Sequence, residues 1–171
     1  MQLHLANTIL DLTEGHSIAE SAAITGLTTN DIKNLRAGNM PSLRSLLCLV
    51  RTLRKTPRSL ISGGRLQPLP KEASLRSATE AKVRSRIQAH SRENDPADLA
   101  ERSGLSIASI YQYRSLNDKM GLHAYLAFVD AGYDADELLL GSGAKRGRTA
   151  GRSAGARPRA RGAVRRAAAA R

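Results

Sequence analysis

Between Ser21 and Gly38 the chain carries a spacing of small and aliphatic residues that returns in its second half, from Leu99 onward. Ala22, Gly26, Leu27, Ile32 and Leu35 reappear as Ala100, Gly104, Leu105, Ile110 and Tyr113 with the same gaps between them. Few folds tolerate such a repeat. An alanine in the middle of one helix lets a second helix cross close above it, and a glycine four positions on takes the left-handed backbone of a sharp turn. The next helix then turns apolar side chains three apart toward that alanine and polar ones toward solvent. Past this second helix the offset grows by one, an insertion in the following loop: Leu43, Leu47, Val50 and Leu60 match Leu122, Leu126, Val129 and Leu139.

The pattern resembles the helix-turn-helix domains of the phage lambda repressor and Cro, the xenobiotic-response-element family of bacterial regulators. The second copy carries Leu99-Ala100, Gly104-Leu105-Ser106 and Ile110, then Leu122, Leu126, Val129 and Leu138-Leu139. The first carries Ala22, Gly26-Leu27-Thr28, Ile32, Leu35, Gly38 and Pro41, then Leu43, Leu47, Val50 and Leu60-Ile61. Ser21 stands where the family usually has leucine, and Thr25 is more polar than the family position. The resemblance spans most of residues 1–141 and none of the rest. It implies an all-α fold of two small repressor-like bundles in tandem. It also implies a bacterial or phage transcription regulator that reads double-stranded DNA with the second helix of each pair.

Length agrees with that division. A chain of 171 residues accommodates two units of roughly 60 residues and a tail. The expected organisation is a first helix-turn-helix domain at 1–63, a linker at 64–77, a second domain at 78–141 and a disordered Arg/Ala/Gly-rich tail at 142–171. Domains so small bury little apolar surface, so the copies are expected to pack on each other or on a second chain.

Local signals predict helices throughout. Leu5, Ile9 and Leu12 form one stripe of an opening helix from Leu3 to Thr13, and Ser17 with Glu20 reads as a capping box for the next. Thr28 caps a helix from Thr29 to Ala37 that Gly38 ends, Ser42 caps one reaching about Lys55, and Pro57 starts a short one. Gly63 to Lys71, with Pro68 and Pro70, reads as a linker. Ala78 to His90, a helix entered at Asp95-Pro96, a helix capped by Ser106, Leu122 to Ala131 and Asp136 to Leu140 complete the second half, with Asn117 to Gly121 as the lengthened loop. No β-strand is expected, because all apolar spacings are helical.

Charge separates three regions. Residues 1–71 carry nine Lys and Arg against four acids, residues 72–143 eight against eleven, and residues 144–171 ten against none, which together make the net +12. From Ile32 to Pro70 the first copy holds Lys33, Arg36, Arg44, Arg51, Arg54, Lys55, Arg58 and Arg65 without a carboxylate. A one-sign run beside a candidate recognition helix reads as a phosphate-facing surface. No apolar run approaches the roughly 18 residues that span a bilayer, and no signal-peptide pattern opens the chain. The expected location is therefore the cytoplasm, at the nucleoid. Neither cofactor nor metal is expected, since Cys48 is the one cysteine and His4, His16, His90 and His123 are scattered. No nucleophile, base and orienting group cluster, so the expected mechanism is binding rather than enzymatic chemistry.

Helix geometry then selects candidate contacts. With Ile32 and Leu35 inward, Thr29, Asn30, Lys33 and Asn34 face out, flanked by Thr28 and Arg36, and Arg44 follows in the basic run. Asn pairs with adenine N6 and N7, Lys with guanine O6 and N7, and Thr meets a thymine methyl. Asp31 suits the positive end of its own helix. The corresponding face of the second copy offers Ser106, Ile107, Ala108, Tyr111, Gln112 and Arg114, a surface poor in charge that suits either bases or a protein partner, including a second copy of the chain. All five aromatics, Tyr111, Tyr113, Tyr125, Phe128 and Tyr133, lie in this half and read as core or interface rather than base-stacking platforms. Lys145, Arg146 and Arg148 begin the tail's cations, which have no apolar periodicity and are expected to add affinity for phosphate without choosing sequence. Besides a sequence-specific regulator, two other readings remain open: a protein-binding adaptor acting through the second half, and a DNA-packing protein of the nucleoid.

Overall fold

The computed structural model describes residues 2–63, 65–71, 75, 78–115 and 120–141. The tail expected at 142–171, Lys145, Arg146 and Arg148 within it, and positions 117–119 of the loop expected from Asn117 to Gly121 lie outside the described residues. The described residues form ten helices: α1 Gln2–Leu12, α2 Ile18–Thr25, α3 Thr29–Arg36, α4 Leu43–Leu53, α5 Pro57–Ile61, α6 Glu80–Glu93, α7 Pro96–Ser103, α8 Ile107–Arg114, α9 Leu122–Asp130 and α10 Ala135–Leu140. No strand occurs among them; one isolated antiparallel bridge joins Lys55 to Pro68. None of these helices is long and apolar enough to cross a membrane.

Capping chemistry starts most of these helices. Ser17 and Glu20 form the reciprocal box at α2, and Thr28 with Asp31 forms another at α3. Ser42 caps α4, Asp95 caps α7 ahead of Pro96, and Ser106 caps α8. Each side chain satisfies a backbone N–H that the first turn leaves without a partner. The first helix of the second half departs from its expected span, starting at Glu80 and running on to Glu93. Thr79 supplies the cap by accepting from the Lys82 N–H, and at the far end Asn94 turns extended shortly before Pro96.

The recurrence seen in the sequence is matched by helix positions. α7 and α8 begin and end at the counterparts of the ends of α2 and α3, and α9 begins at Leu122, the counterpart of Leu43 in α4. Between α2 and α3 the chain reverses at Gly26 with φ 71°, and between α7 and α8 at Gly104 with φ 66°. The two glycines differ in their surroundings. A Cβ on Gly26 would collide with the Thr52 hydroxyl, whereas one on Gly104 meets no neighbour, so Gly26 answers to packing as well as to backbone conformation.

One apolar core runs through both sets of five helices. From the first it takes Leu5, Ile9, Ile32, Leu46, Leu49, Val50, Leu60 and Ile61, and from the second Val83, Ile87, Leu99, Ile110, Tyr125, Phe128, Leu138 and Leu139. Side chains of this size each contribute about 1.5–3 kcal/mol when fully buried. Aromatics Tyr125 and Phe128 occupy the positions that Leu46 and Leu49 hold in the first copy, and the Tyr125 hydroxyl donates to Ala135 O at 2.8 Å. That phenol is held well above its ordinary pKa by burial and by Asp136 and Asp134.

The halves meet through matching elements. α5 packs on α10 and α4 on α9, while the contact of α1 with α9 has its image in that of α6 with α4. Polar groups cross at the edge of this seam: the Arg58 N–H donates to Asp136 Oδ1 at 3.1 Å, and Arg58 Nη2 reaches Asp134 Oδ2 at 3.2 Å. Both side chains of the latter ion pair are half exposed, so it is worth about 0–1 kcal/mol and the apolar residues hold the seam. Burial pushes the Asp136 carboxyl above its ordinary range, opposed by the hydrogen bond from the Arg58 N–H. Residues 65–71, expected as part of a linker, fold back instead: Thr56 N–H donates to Gln67 O at 2.9 Å, Leu69 N–H to Arg54 O at 2.7 Å, and Leu69 is buried.

Candidate nucleic-acid interface

The outer face of α3 is built by its own inner face. Ile32 and Leu35, 1% and 5% exposed, anchor the helix in the core and leave Thr29, Asn30, Lys33 and Asn34 exposed. Asp31 does not add a carboxylate to that face. Its Oδ2 accepts from the Thr28 N–H at 3.1 Å and from the Thr28 hydroxyl at 2.7 Å, closing the capping box. The Thr28 side chain is thereby committed to the helix start. Two amides, one ammonium and one hydroxyl remain, a set able to donate to and accept from base edges.

The α8 face stands on the same frame with different chemistry. Ile110 is buried and Tyr113 partly buried against the core, while Ile107 and Tyr111 are 48% and 57% exposed on successive turns. Ala108 and Gln112 are exposed beside them. Ser106 accepts from the Ser109 N–H at 3.1 Å and shares a 2.8 Å hydrogen bond with the Ser109 hydroxyl, so it too serves as a cap. The other aromatics turn inward: Tyr133 stacks near Phe128 and His90 with ring centroids 5.3 Å and 4.8 Å apart.

Arg36 and Arg114, named as flanking contacts by the sequence, turn away from these faces. Arg36 Nη2 donates to His16 O at 2.7 Å, Ser21 Oγ at 2.9 Å and Thr13 O at 3.4 Å. Arg114 donates through Nε to Ser91 O at 2.7 Å and through Nη2 to Asn94 O. Thr13 and His16 have Ser91 and Asn94 as their counterparts in the repeat, so the two arginines tie equivalent carbonyls of the turn before each helix pair. A guanidinium's spread of donors suits several acceptors at once. Arg114 also lies over the Tyr111 ring, 5.6 Å from its centroid, and supports that exposed aromatic from below. One signal in the sequence pointed to this role: arginine is retained at this position in both copies while the outer faces around it share no residue.

Arg36 also accounts for a polar oddity of the first copy. Ser21, fully buried where the second copy has Leu99, accepts from that guanidinium and donates to Ser17 O at 2.7 Å. Buried Thr25 donates to Ser21 O at 2.6 Å and accepts from Leu27 N–H, as Ser103 accepts from Leu105 N–H. Among the described residues no buried side-chain nitrogen or oxygen is left without a partner.

The basic run does not act as one surface. Arg36 braces the α1–α2 turn, Arg51 donates to Ala78 O at 2.6 Å, and Arg58 binds Asp134, so three of its cations serve intramolecular contacts. Lys33 is exposed on the outer face of α3 itself, and Arg44 is exposed in the first turn of α4. Arg44 borders an open groove of about 540 Å³ whose walls are Pro41–Arg44 at the start of α4, Gly121–Ala124 at the start of α9, Tyr113, Glu80 and Arg84. The sequence did not indicate this groove, because it exists only where the halves meet. No group of three or more His, Cys, Asp or Glu able to hold a metal ion occurs among the described residues.

Comparison of the chain with family models, curated proteins and solved structures returned no match.

Proposed function

We propose that the chain is a sequence-specific DNA-binding regulator built from two helix-turn-helix units, with a basic tail that adds affinity for phosphate without sequence choice. The observation that carries this reading is the outer face of α3: four exposed hydrogen-bonding residues, Thr29, Asn30, Lys33 and Asn34, with the neighbouring carboxylate of Asp31 folded into the helix cap. A helix so presented offers side chains matched to adenine and guanine edges, with its one carboxylate held at the capped helix start. The ten cations and absence of acids after residue 143 supply the electrostatic part.

Selection of duplexes from a random pool tests it. The full chain should enrich a discrete site, and the double variant Lys33→Ala with Asn34→Ala should lose about 1–3 kcal/mol of discrimination per lost bidentate contact, with its helical circular dichroism unchanged. Unaltered discrimination would remove α3 from the reading. The exposed pair Ile107 and Tyr111 favours one other reading, an adaptor whose α8 face docks on a protein. In that case DNA protection appears only when the partner is present.

A further inference from the structure

We infer that a single copy of the chain contacts one duplex over two unlike half-sites, α3 on one and α8 on the other, so that its target is non-palindromic and is bound one-to-one. This rests on the DNA-binding reading above and extends it to the symmetry of the target.

The seam between the halves has the form of a two-fold interface. Equivalent elements meet each other, α5 with α10 and α4 with α9, and two further contacts, α1 with α9 and α6 with α4, are images of one another. Such self-complementary contact is what joins two identical subunits about a dyad. Here both partners belong to one chain. α5 and α10 pack on each other, and Leu60, Ile61, Leu138, Leu139 and Leu140 are all buried within the one chain, so this face is already occupied and is closed to a second copy.

The groove lies where the two halves meet. Its walls Ser42, Leu43 and Arg44 are matched in the repeat by Gly121, Leu122 and His123, so equivalent residues of the two halves line it together. Pro41 follows soon after the end of α3, and Tyr113 lies in the last turn of α8 and lines the groove directly. The groove thus takes one residue of α8 itself and, from the first half, the segment that follows α3 into α4. Paired helix-turn-helix units joined about a dyad address half-sites about one helical turn, roughly 34–36 Å, apart on duplex DNA, and the same spacing is inferred for this chain.

Two identical subunits would impose two identical half-sites. This chain is free of that constraint, because Thr29, Asn30, Lys33 and Asn34 are replaced on the other side by Ile107, Ala108, Tyr111 and Gln112. The first set suits hydrogen bonding to purine edges. The second offers apolar contact to thymine methyls and one amide for adenine, so the second half-site is A·T-rich.

The test combines the random-pool selection with the mass of the complex on the selected duplex, using the full chain. The expected motif has two unlike segments about 10 base pairs apart, centre to centre, bound by one chain per duplex. Gln112→Ala should relax preference roughly tenfold at one position of the A·T-rich segment and leave the other segment intact, while Lys33→Ala should do the converse. A palindromic motif carrying two chains overturns the inference, as does a single-segment motif indifferent to Gln112→Ala and Tyr111→Ala; both leave the DNA-binding reading standing. Absence of any enriched motif overturns both together.

Discussion

Helices α3 and α8 have the same length, the same Ser/Thr type of N-cap, a buried isoleucine at the same position and a terminal arginine bound to equivalent carbonyls, yet their outer faces have no residue in common. The agreement and the disagreement carry different information. Where two copies of one motif keep a residue, that residue answers to something both copies need, which is the fold. Where they diverge on an exposed face, the scaffold imposes nothing, and the choice is left to whatever that face meets. By this test Arg36 and Arg114 belong with the structure. Lys33, Asn34, Tyr111 and Gln112 are left free by the scaffold, and it is to these that the proposed function gives recognition.

The largest effects should follow from the buried isoleucines that seat the two helices. Ile32→Ala and Ile110→Ala each leave a cavity in a core that spans both halves, and each is expected to cost about 2–5 kcal/mol. Because the core is continuous, either variant should lower one shared unfolding transition, followed by denaturant titration with circular dichroism. Two separable transitions, with only the substituted half destabilised, would show the halves to be independent and break the comparison at its root.

A smaller effect separates brace from reader. Arg36→Met and Arg114→Met remove charged donors from carbonyls of the preceding turn, and each should lose about 1–2 kcal/mol of stability. Discrimination between the selected site and random DNA should stay the same. If Arg36→Met instead abolished discrimination at unchanged stability, the arginine would have to be returned to the recognition face.

The smallest effect lies in the seam. The folded-state pKa of Asp136 is raised by burial, so its contribution to stability is fully present below the unfolded value, where the carboxyl is protonated, and is lost as pH rises through the raised one. Asp136→Asn keeps an acceptor for the Arg58 N–H but does not titrate. The stability difference between the natural chain and this variant should therefore shift against the natural chain as pH rises through the carboxylate range. A difference independent of pH would mean that the carboxylate is ionised at no cost and that the seam is open to solvent.

Much of the secondary structure was legible because its causes are local. A cap joins residues two or three apart, as Thr28 with Asp31 and Asp95 with the Asp98 N–H, and an inward stripe such as Ile32 and Leu35 follows from helical period alone. The outer faces of α3 and α8 came from the same rule. The end of α6 at Glu93 was not readable from apolar period, because Asn94 and Pro96 decide it after the last core residue of the helix.

What the sequence by itself determined, then, is a series of short helices, where most of them start, and which side of each turns inward, since these depend on neighbours within one turn. Tertiary structure decided where the long cations go. The Arg36 guanidinium reaches acceptors 15 to 23 positions away, and that of Arg58 reaches Asp134, 76 positions away; nothing local in the chain marks these acceptors. It also decided that 65–71 folds back on Arg54 and Thr56, and that α5 and α10 close against each other. The physical reason is the same in each case. A guanidinium on a long, freely rotating stem, or the apolar face of a helix as short as α5, has many possible partners, and only the packed neighbours select one.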